Sequence, residues 1–427
     1  MDHLRIVLYS HDSLGLGHVR RNLALAHALA NQLPYLTGRA VTGILISGTA
    51  LAPGFNVPAG WDWVILPGVE KSPAGYQPRS LTVPMQDLVS LRAGLLESVL
   101  GGFLPDLVVV DRHATGIHHE LEAALRRVRA AGPVRTVLGL REILDAPEAA
   151  IAEWERAGGA PLVNDLFDAI WVYGDPAVHD PLAAGEIPLS VGKLVRYTGY
   201  LAAGRPAEPG HITMTVPYFL TTVGGGADGY ALAAVAAAAD LPPGVEHLVV
   251  AGPQMPADQL ADLRRRAVPG VRIVGRLDDM VPHLAGAQAI VSMGGYNTVC
   301  EIMSTSVPAL IVPRTRARSE QRIRAASLAS AGYLDYHEIG TLTPGILSSW
   351  LAGRLGTRVD RRKARLDGLV RVPQLAAELL QPLLQAAASI AAGAQAAGEQ
   401  AAGEQAAGEQ AAAHDSSERE GAAHAAV

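Results

Sequence analysis

Residues 287–321 read AQAIVSMGGYNTVCEIMSTSVPALIVPRTRARSEQ. The apolar run at 289–292 has the length of a buried strand, and the glycine pair Gly294 and Gly295 follows it at once. Residues 297–304 then carry a helical pattern, 309–312 form a second apolar strand, and a basic loop closed by Glu320 and Gln321 comes after. The unit is β-loop-α-β, with its polar groups on the loops. A strand that stops in glycine and opens into a helix places free backbone N–H groups at the positive helix end, where phosphate binds. Glu301 falls one turn into that helix, so its carboxylate looks back at whatever sits over the glycines. Phosphate on the amides and ribose hydroxyls on the carboxylate would hold a nucleoside diphosphate. A tight turn followed by a solvent-facing Glu gives the same local pattern, because a glycine pair is weakly specific.

Outward from this unit the chain repeats the theme. Apolar strands at 4–9, 41–47, 63–67, 106–111, 135–140 and 169–174 alternate with helical stretches at 19–33, 87–100 and 148–157. Such alternation is the signature of a parallel sheet covered on both faces. Residues 197–211 lose this periodicity and gather Gly and Pro. A second series then runs through 218–226, 247–252, 271–275 and the opening unit. The expected fold is α/β with two facing Rossmann-like domains, at 1–199 and 212–372, joined by a linker at 200–211. A helix at 373–390 and an AAGEQ-repeat tail at 391–427 complete it. The repeat has no bulky apolar group and is expected to form a disordered or partly helical tail that joins no core. Ligands of such sheets bind outside the carboxyl ends of the strands.

Bulk properties narrow the class. A chain of 427 residues exceeds the ~250–300 at which single cores stop growing. The net charge is −6, of which −5 lies in residues 391–427, so the body is close to neutral and lacks the basic balance of a nucleic-acid binder. One cysteine, Cys300, excludes internal disulfides. The start MDHLRIVLYSHD reads as a strand entering a loop, and no apolar run reaches the ~20 residues of a spanning helix. A cytoplasmic protein is expected, with peripheral contact at the inner face of a membrane left open.

Chemistry-bearing residues fall on the loops. Gly15, Gly17 and His18 follow the first strand in GLGHVRR, which lacks the third glycine of a dinucleotide fingerprint. His18 opens a helix, where a neutral imidazole could take a proton from an incoming hydroxyl. Asp111, at the end of another strand, could orient it and raise its pKa, although a capping or core His is the commoner role. Gly224, Gly225 and Gly226 in TVGGGADG match a glycine-rich cradle, but the next strand ends without an acidic partner, which favours a generic diphosphate loop over a dinucleotide site. Arg314, Arg316, Arg318, Arg322 and Arg324 crowd the region after the last strand; one or two suit phosphate, and the rest are expected in solvent. His113, His118, His119 and Glu120 lack the second His of a zinc helix, and no motif calls for a metal or a cofactor.

Taken in order, SxGLGHxRR, TVGGGADG, GRLDDMVPHLAGAQAIVSMGGYNTVCE and PALIVPR…EQ resemble the MurG-like GT-B glycosyltransferases. That group includes the UDP-N-acetylglucosamine transferase of peptidoglycan synthesis. The resemblance implies an inverting, metal-independent hexosyltransferase that moves a sugar from a UDP- or dTDP-sugar donor to a hydroxyl acceptor, a lipid-linked one included. It places Gly15, Gly17 and His18 on the acceptor and diphosphate side. Gly224–Gly226 match the loop that opens the second domain, Gly294, Gly295 and Thr298 fall under the phosphates, and Arg276, Leu277 and Met280 fall at the nucleobase. Glu301 falls at the ribose and Gln321 at the sugar, and Asn297, Arg314 and Glu320 are further candidates for the donor site. Tyr296-Asn297 and the pentad tail depart from the family's pattern. A nucleotide-sugar hydrolase or epimerase of the same fold, or a non-catalytic nucleotide-sugar binding protein, is the alternative.

Overall fold

The computed structural model describes residues 3–10, 16–72, 75–205, 214–277, 280–314 and 319–424. Contacts divide the chain into two units, 1–377 and 378–427, and the first holds both sheets. Its strands are β1 (His3–Tyr9), β2 (Ala40–Ser47), β3 (Trp61–Ile65), β4 (Val69–Ser72), β5 (Gly75–Pro78), β6 (Leu107–Asp111), β7 (Arg135–Arg141), β8 (Ala169–Tyr173) and β9 (Val195–Tyr197). Between them run α1 (Gly17–Thr37), α2 (Met85–Phe103), α3 (Glu122–Ala131), α4 (Pro147–Arg156) and α5 (Gly159–Leu166). Seven strands form one parallel sheet in the order β3-β2-β1-β6-β7-β8-β9. The chain winds one way from β1 to β2 and the other way from β6, so the strand order reverses between β1 and β6. The central strands are apolar on both faces, as burial on both sides demands: Ile6, Val7, Leu8, Val108, Val109 and Val110 are all fully buried.

The second sheet repeats the plan with β10 (Tyr218–Thr222), β11 (Glu246–Val250), β12 (Val271–Val274), β13 (Ala289–Ser292), β14 (Ala309–Ile311) and β15 (Asp335–Tyr336). Its helices are α6 (Tyr230–Ala237), α7 (Ala257–Arg266), α8 (Val281–Gly286), α9 (Tyr296–Met303), α10 (Glu320–Ser330) and α11 (Pro344–Arg354). All pairs are parallel, in the order β12-β11-β10-β13-β14-β15, and here the reversal lies between β10 and β13. In open sheets of this kind the crevice at the reversal is where ligands settle. Both glycine loops of the second sheet, after β10 and after β13, border that crevice.

Among the elements that depart from the sequence reading, β3, β4, β5 and α12 show why. β4 and β5 pair as an antiparallel hairpin, unread because its four-residue arms carry little apolar pattern. β3 begins at Trp61 rather than at 63, because Gly43 on β2 leaves room for the Trp61 indole; a Cβ at Gly43 would lie 2.4 Å from the ring. Finally, α12 (Gly368–His424) starts before 373 and runs through the AAGEQ segment that was expected to be disordered or partly helical. Ala, Glu and Gln are strong helix formers, and the pentads place Gln395 and Gln400 four residues before Glu399 and Glu404, which accept from them at 3.1 and 3.3 Å. Near the linker, the backbone of Tyr200 pairs with Arg365 and Gly368, so the chain returns to this point before α12 begins.

Candidate active site between the two sheets

The first reversal point carries His18 and Asp111. α1 starts where the loop after β1 ends, and Asp111 is the last residue of β6, the neighbouring strand. His18 Nδ1 lies 2.7 Å from Asp111 Oδ2. An ionised carboxylate only accepts, so Nδ1 carries the proton and the basic lone pair of the neutral ring is on Nε2. One turn on, Arg21 donates to both oxygens of Asp111, Nε and Nη2 reaching Oδ1 at 3.1 and 2.7 Å and Nη2 reaching Oδ2 at 2.6 Å. Burial alone would raise the Asp111 pKa, but Arg21 first and His18 second outweigh it and hold the carboxyl far below the ordinary range.

This arrangement reverses the expected direction for His18. Its pKa is lowered from 6.5, chiefly by burial, with Asp111 opposing and the Arg21 and Arg141 guanidiniums adding to the fall. Asp111 by itself would raise it, as anticipated, but burial of the ring outweighs that pull. The imidazole is therefore kept neutral, and its side chain retains 19% exposure through which a substrate proton can reach it.

The second sheet meets this pair at α9. Gly294 takes φ +79°, and a Cβ there would lie 2.5 Å from the Ile311 side chain, so glycine alone fits the turn. Asn297 Nδ2 donates to Gly17 O at 2.9 Å, which brings the starts of α9 and α1 together. Tyr296 is buried between the Arg21 and Arg324 guanidiniums, 5.6 and 5.7 Å from its ring centre. Its hydroxyl donates to Tyr173 O at 2.9 Å. Glu301 is buried, and Oε1 accepts from Arg20 at 2.7 Å and lies 3.4 Å from Arg205, while Oε2 has no partner. Arg324 donates to Glu142 at 2.5 and 3.3 Å and to Gly294 O at 3.1 Å, with both charged side chains fully buried.

The remaining predicted residues gather around the second reversal point. Gly224 and Gly226 have φ +67° and +94°, and a Cβ on Gly226 would lie 2.3 Å from Ala251 O. Arg314 spans the loops, with Asp228 at 3.2 Å and Glu320 at 3.3 Å, and its backbone N–H donates to Gln321 Oε1 at 3.2 Å. Thr298 lies in the first turn of α9, whereas Arg276, Leu277 and Met280 follow β12, the edge strand three positions from β13. Gly15, Arg316 and Arg318 lie outside the described residues. Arg322 is exposed as expected, whereas Arg324, expected in solvent, is fully buried because it neutralises Glu142. The sequence reading also missed Arg20, Arg21, Glu142 and Arg205. For Arg21 a signal was present, since residues 18, 21, 22 and 25 share one helix face.

Residues 222–353 match the glycosyltransferase family 28 C-terminal domain. With the two sheets already described, the chain resembles the MurG-like glycosyltransferases, with a GT-B fold and one segment that matches the family 28 C-terminal domain. A UDP-N-acetylglucosamine–N-acetylmuramyl-(pentapeptide) pyrophosphoryl-undecaprenol N-acetylglucosamine transferase from Mesorhizobium japonicum is 32% identical over 49% of this chain and 57% of its own length. An uncharacterized glycosyltransferase from Methanosarcina acetivorans is 29% identical over 33% of this chain and 36% of its own. The chain thus spans about a third to just over half the length of these curated relatives. The crystal structure of MurG from Acinetobacter baumannii superposes with a TM-score of 0.51 over 89% of this chain and 99% of that one, at 15% identity. The glycotransferase of kitacinnamycin gives 0.56 over 89% and 99%, at 16%. Gly224, Gly294, Glu301 and Gln321 all lie within the matched segment.

Proposed function

We propose that this chain is an inverting hexosyltransferase acting on a nucleoside-diphosphate sugar, UDP- or dTDP-linked, and on a hydroxyl acceptor. The observation that carries this reading is the His18–Asp111 pair, held by the Asn297–Gly17 bond against the glycine-led start of α9. His18 Nε2 takes the acceptor proton as the hydroxyl oxygen bonds to the anomeric carbon from the face opposite the leaving group. The bond from that carbon to the diphosphate breaks, and the electron pair leaves with the diphosphate oxygen. The amides of the two glycine loops and the positive end of α9 meet the charge that develops there. No step calls for a metal, since these amides and the guanidiniums around them supply positive charge.

Glu301 supports the donor half of the reading. Its Oε2 is a buried carboxylate oxygen without a partner, and a ribose hydroxyl would satisfy it. Glu301→Ala is expected to weaken UDP binding by about 1.5–3 kcal/mol, roughly 10- to 100-fold, as for a hydrogen bond to a charged group. Glu301→Gln, which keeps the volume beside Arg20 and Arg205, should fall between the two. Unchanged UDP affinity by calorimetry in both variants removes Glu301 from the site.

The acceptor is a hydroxyl of a glycan, a lipid or a secondary metabolite. The Mesorhizobium relative is named for a lipid-linked acceptor, and that name supports a peripheral position at the inner face of a membrane. Among the described residues no helix is long and apolar enough to cross one. The test is release of nucleoside diphosphate from a panel of UDP- and dTDP-sugars, with and without hydroxyl acceptors. Release that depends on acceptor supports transfer, release to water alone makes the chain a hydrolase, and binding without release makes it a sensor.

A further inference from the structure

Arg141 ends β7, two residues past Gly139, whose partner across the sheet is Asp111. It is a cation at the edge of the reactive pair, close enough to lower the His18 pKa. Three other guanidiniums crowd it, and each has a bonded carboxylate of its own: Arg21 has Asp111, Arg112 has Glu153 at 2.9 Å, and Arg324 has Glu142. Arg141 has no such bond. Its nearest carboxylate, Glu320, is 3.5 Å away and is shared with Arg314 at 3.3 Å. Nε is buried without a hydrogen-bond partner, and the side chain as a whole keeps 15% exposure.

A guanidinium in this state is costly. Burial, then repulsion from Arg112, Arg324 and Arg21, pushes its pKa down to about 9, with Glu320 opposing. A side chain that only stabilised the fold would hydrogen-bond the carboxylate it faces, as Arg21 and Arg324 do. Unsatisfied charge of this kind collects where a ligand completes the set. The guanidinium's fork of donors matches the paired oxygens of a carboxylate or a phosphate.

We propose that Arg141 binds an anionic group of the substrate, a carboxylate or a phosphate, at the reacting end beside His18. The inference rests on the transfer reading above and deepens it, because it adds a second anionic group, besides the donor diphosphate, near the reaction centre. The anion belongs either to the donor sugar, as in a uronic acid, or to the acceptor. Arg141 ends the strand next to the one that carries Asp111 and lies 3.5 Å from Glu320 of the second sheet, so both sources reach it.

The test compares the full chain with Arg141→Gln, which keeps a planar donor group of lower charge. Thermal unfolding comes first: the variant should unfold at the same temperature or higher, since it loses an uncompensated buried cation. A fall of several degrees would make Arg141 a structural partner of Glu320 and sink the proposal. Phenylglyoxal labelling of the native chain, mapped by peptide mass, comes second. A depressed pKa makes Arg141 react readily, and pyrophosphate or glucuronate should slow its labelling. Equal labelling with and without these anions, or no labelling at all, overturns the inference, and this readout needs no nucleotide. Calorimetry with UDP-glucose and UDP-glucuronate then separates the sources. A preference of about tenfold or more for UDP-glucuronate that Arg141→Gln abolishes assigns the anion to the donor. Equal binding of both sugars, with pyrophosphate still protecting Arg141 when UDP is saturating, assigns it to the acceptor. Failure of every nucleotide to bind would count against the transfer reading alone.

Discussion

His18→Ala is expected to lower turnover by about 10²–10⁴-fold while leaving UDP affinity close to native. The split follows from the geometry. His18 stands at the reversal point of the first sheet, whereas the glycine loops and Glu301 come from the second. The pH dependence tests the same assignment with its sign fixed by the structure. Only the neutral imidazole can act as base, and its pKa is held below 6.5 by burial, with Arg21 and Arg141 reinforcing the effect. The rate should therefore hold as the pH falls through 6.5 and decline at lower values. A midpoint above 6.5 would mean that the pull of Asp111 outweighs burial of the ring. Near-normal turnover in His18→Ala with the true acceptor would show that another group is the base. Asp111→Asn should also lower turnover, and it carries a second cost, since it leaves the buried Arg21 guanidinium facing an amide.

What could be read from the sequence follows from the range of the interactions involved. The alternation of strands and helices, the glycine loops and Glu301 are local signals: each needs only a period, a turn or one helical step, and the structure places them at the carboxyl edge of the second sheet. His18 and Asp111 could be named separately as residues on loop edges. Their 2.7 Å contact required knowing that β1 and β6 are neighbours, which 93 residues of intervening chain conceal. The electrostatics were less legible still. Burial of the His18 ring, which no local pattern announces, outweighs the pull of Asp111, so the direction of the His18 shift is the reverse of that expected from the pair alone. Arg324 looked like one more arginine in a basic loop, because its partner Glu142 lies 182 positions away on the other half of the chain. The tail shows a different limit. Lack of apolar groups excludes a core, but it does not exclude a helix, whose hydrogen bonds are internal to the segment.

Arg324→Met is expected to destabilise the chain by about 3–5 kcal/mol, because it leaves Glu142 charged, buried and unpaired. Both side chains are fully buried, so water cannot replace the lost partner. The Arg324 pKa is raised despite burial, which opposes the shift, because Glu142 attracts the charge more strongly. A loss of that size should lower the thermal midpoint by roughly 5–10 °C. The substitution also removes the bond to Gly294 O and one of the two guanidiniums stacked on Tyr296, so the Gly294 loop loses its brace. UDP affinity should consequently fall even in protein that remains folded. Arg324→Met combined with Glu142→Leu separates the two effects. With both charges gone, no buried ion is stranded, and stability should return to near native or above, as replaced buried pairs often do. UDP affinity should stay low, since the Gly294 bond is not restored. A double variant as unstable as Arg324→Met alone would show that packing around Tyr296, rather than the stranded carboxylate, accounts for the loss.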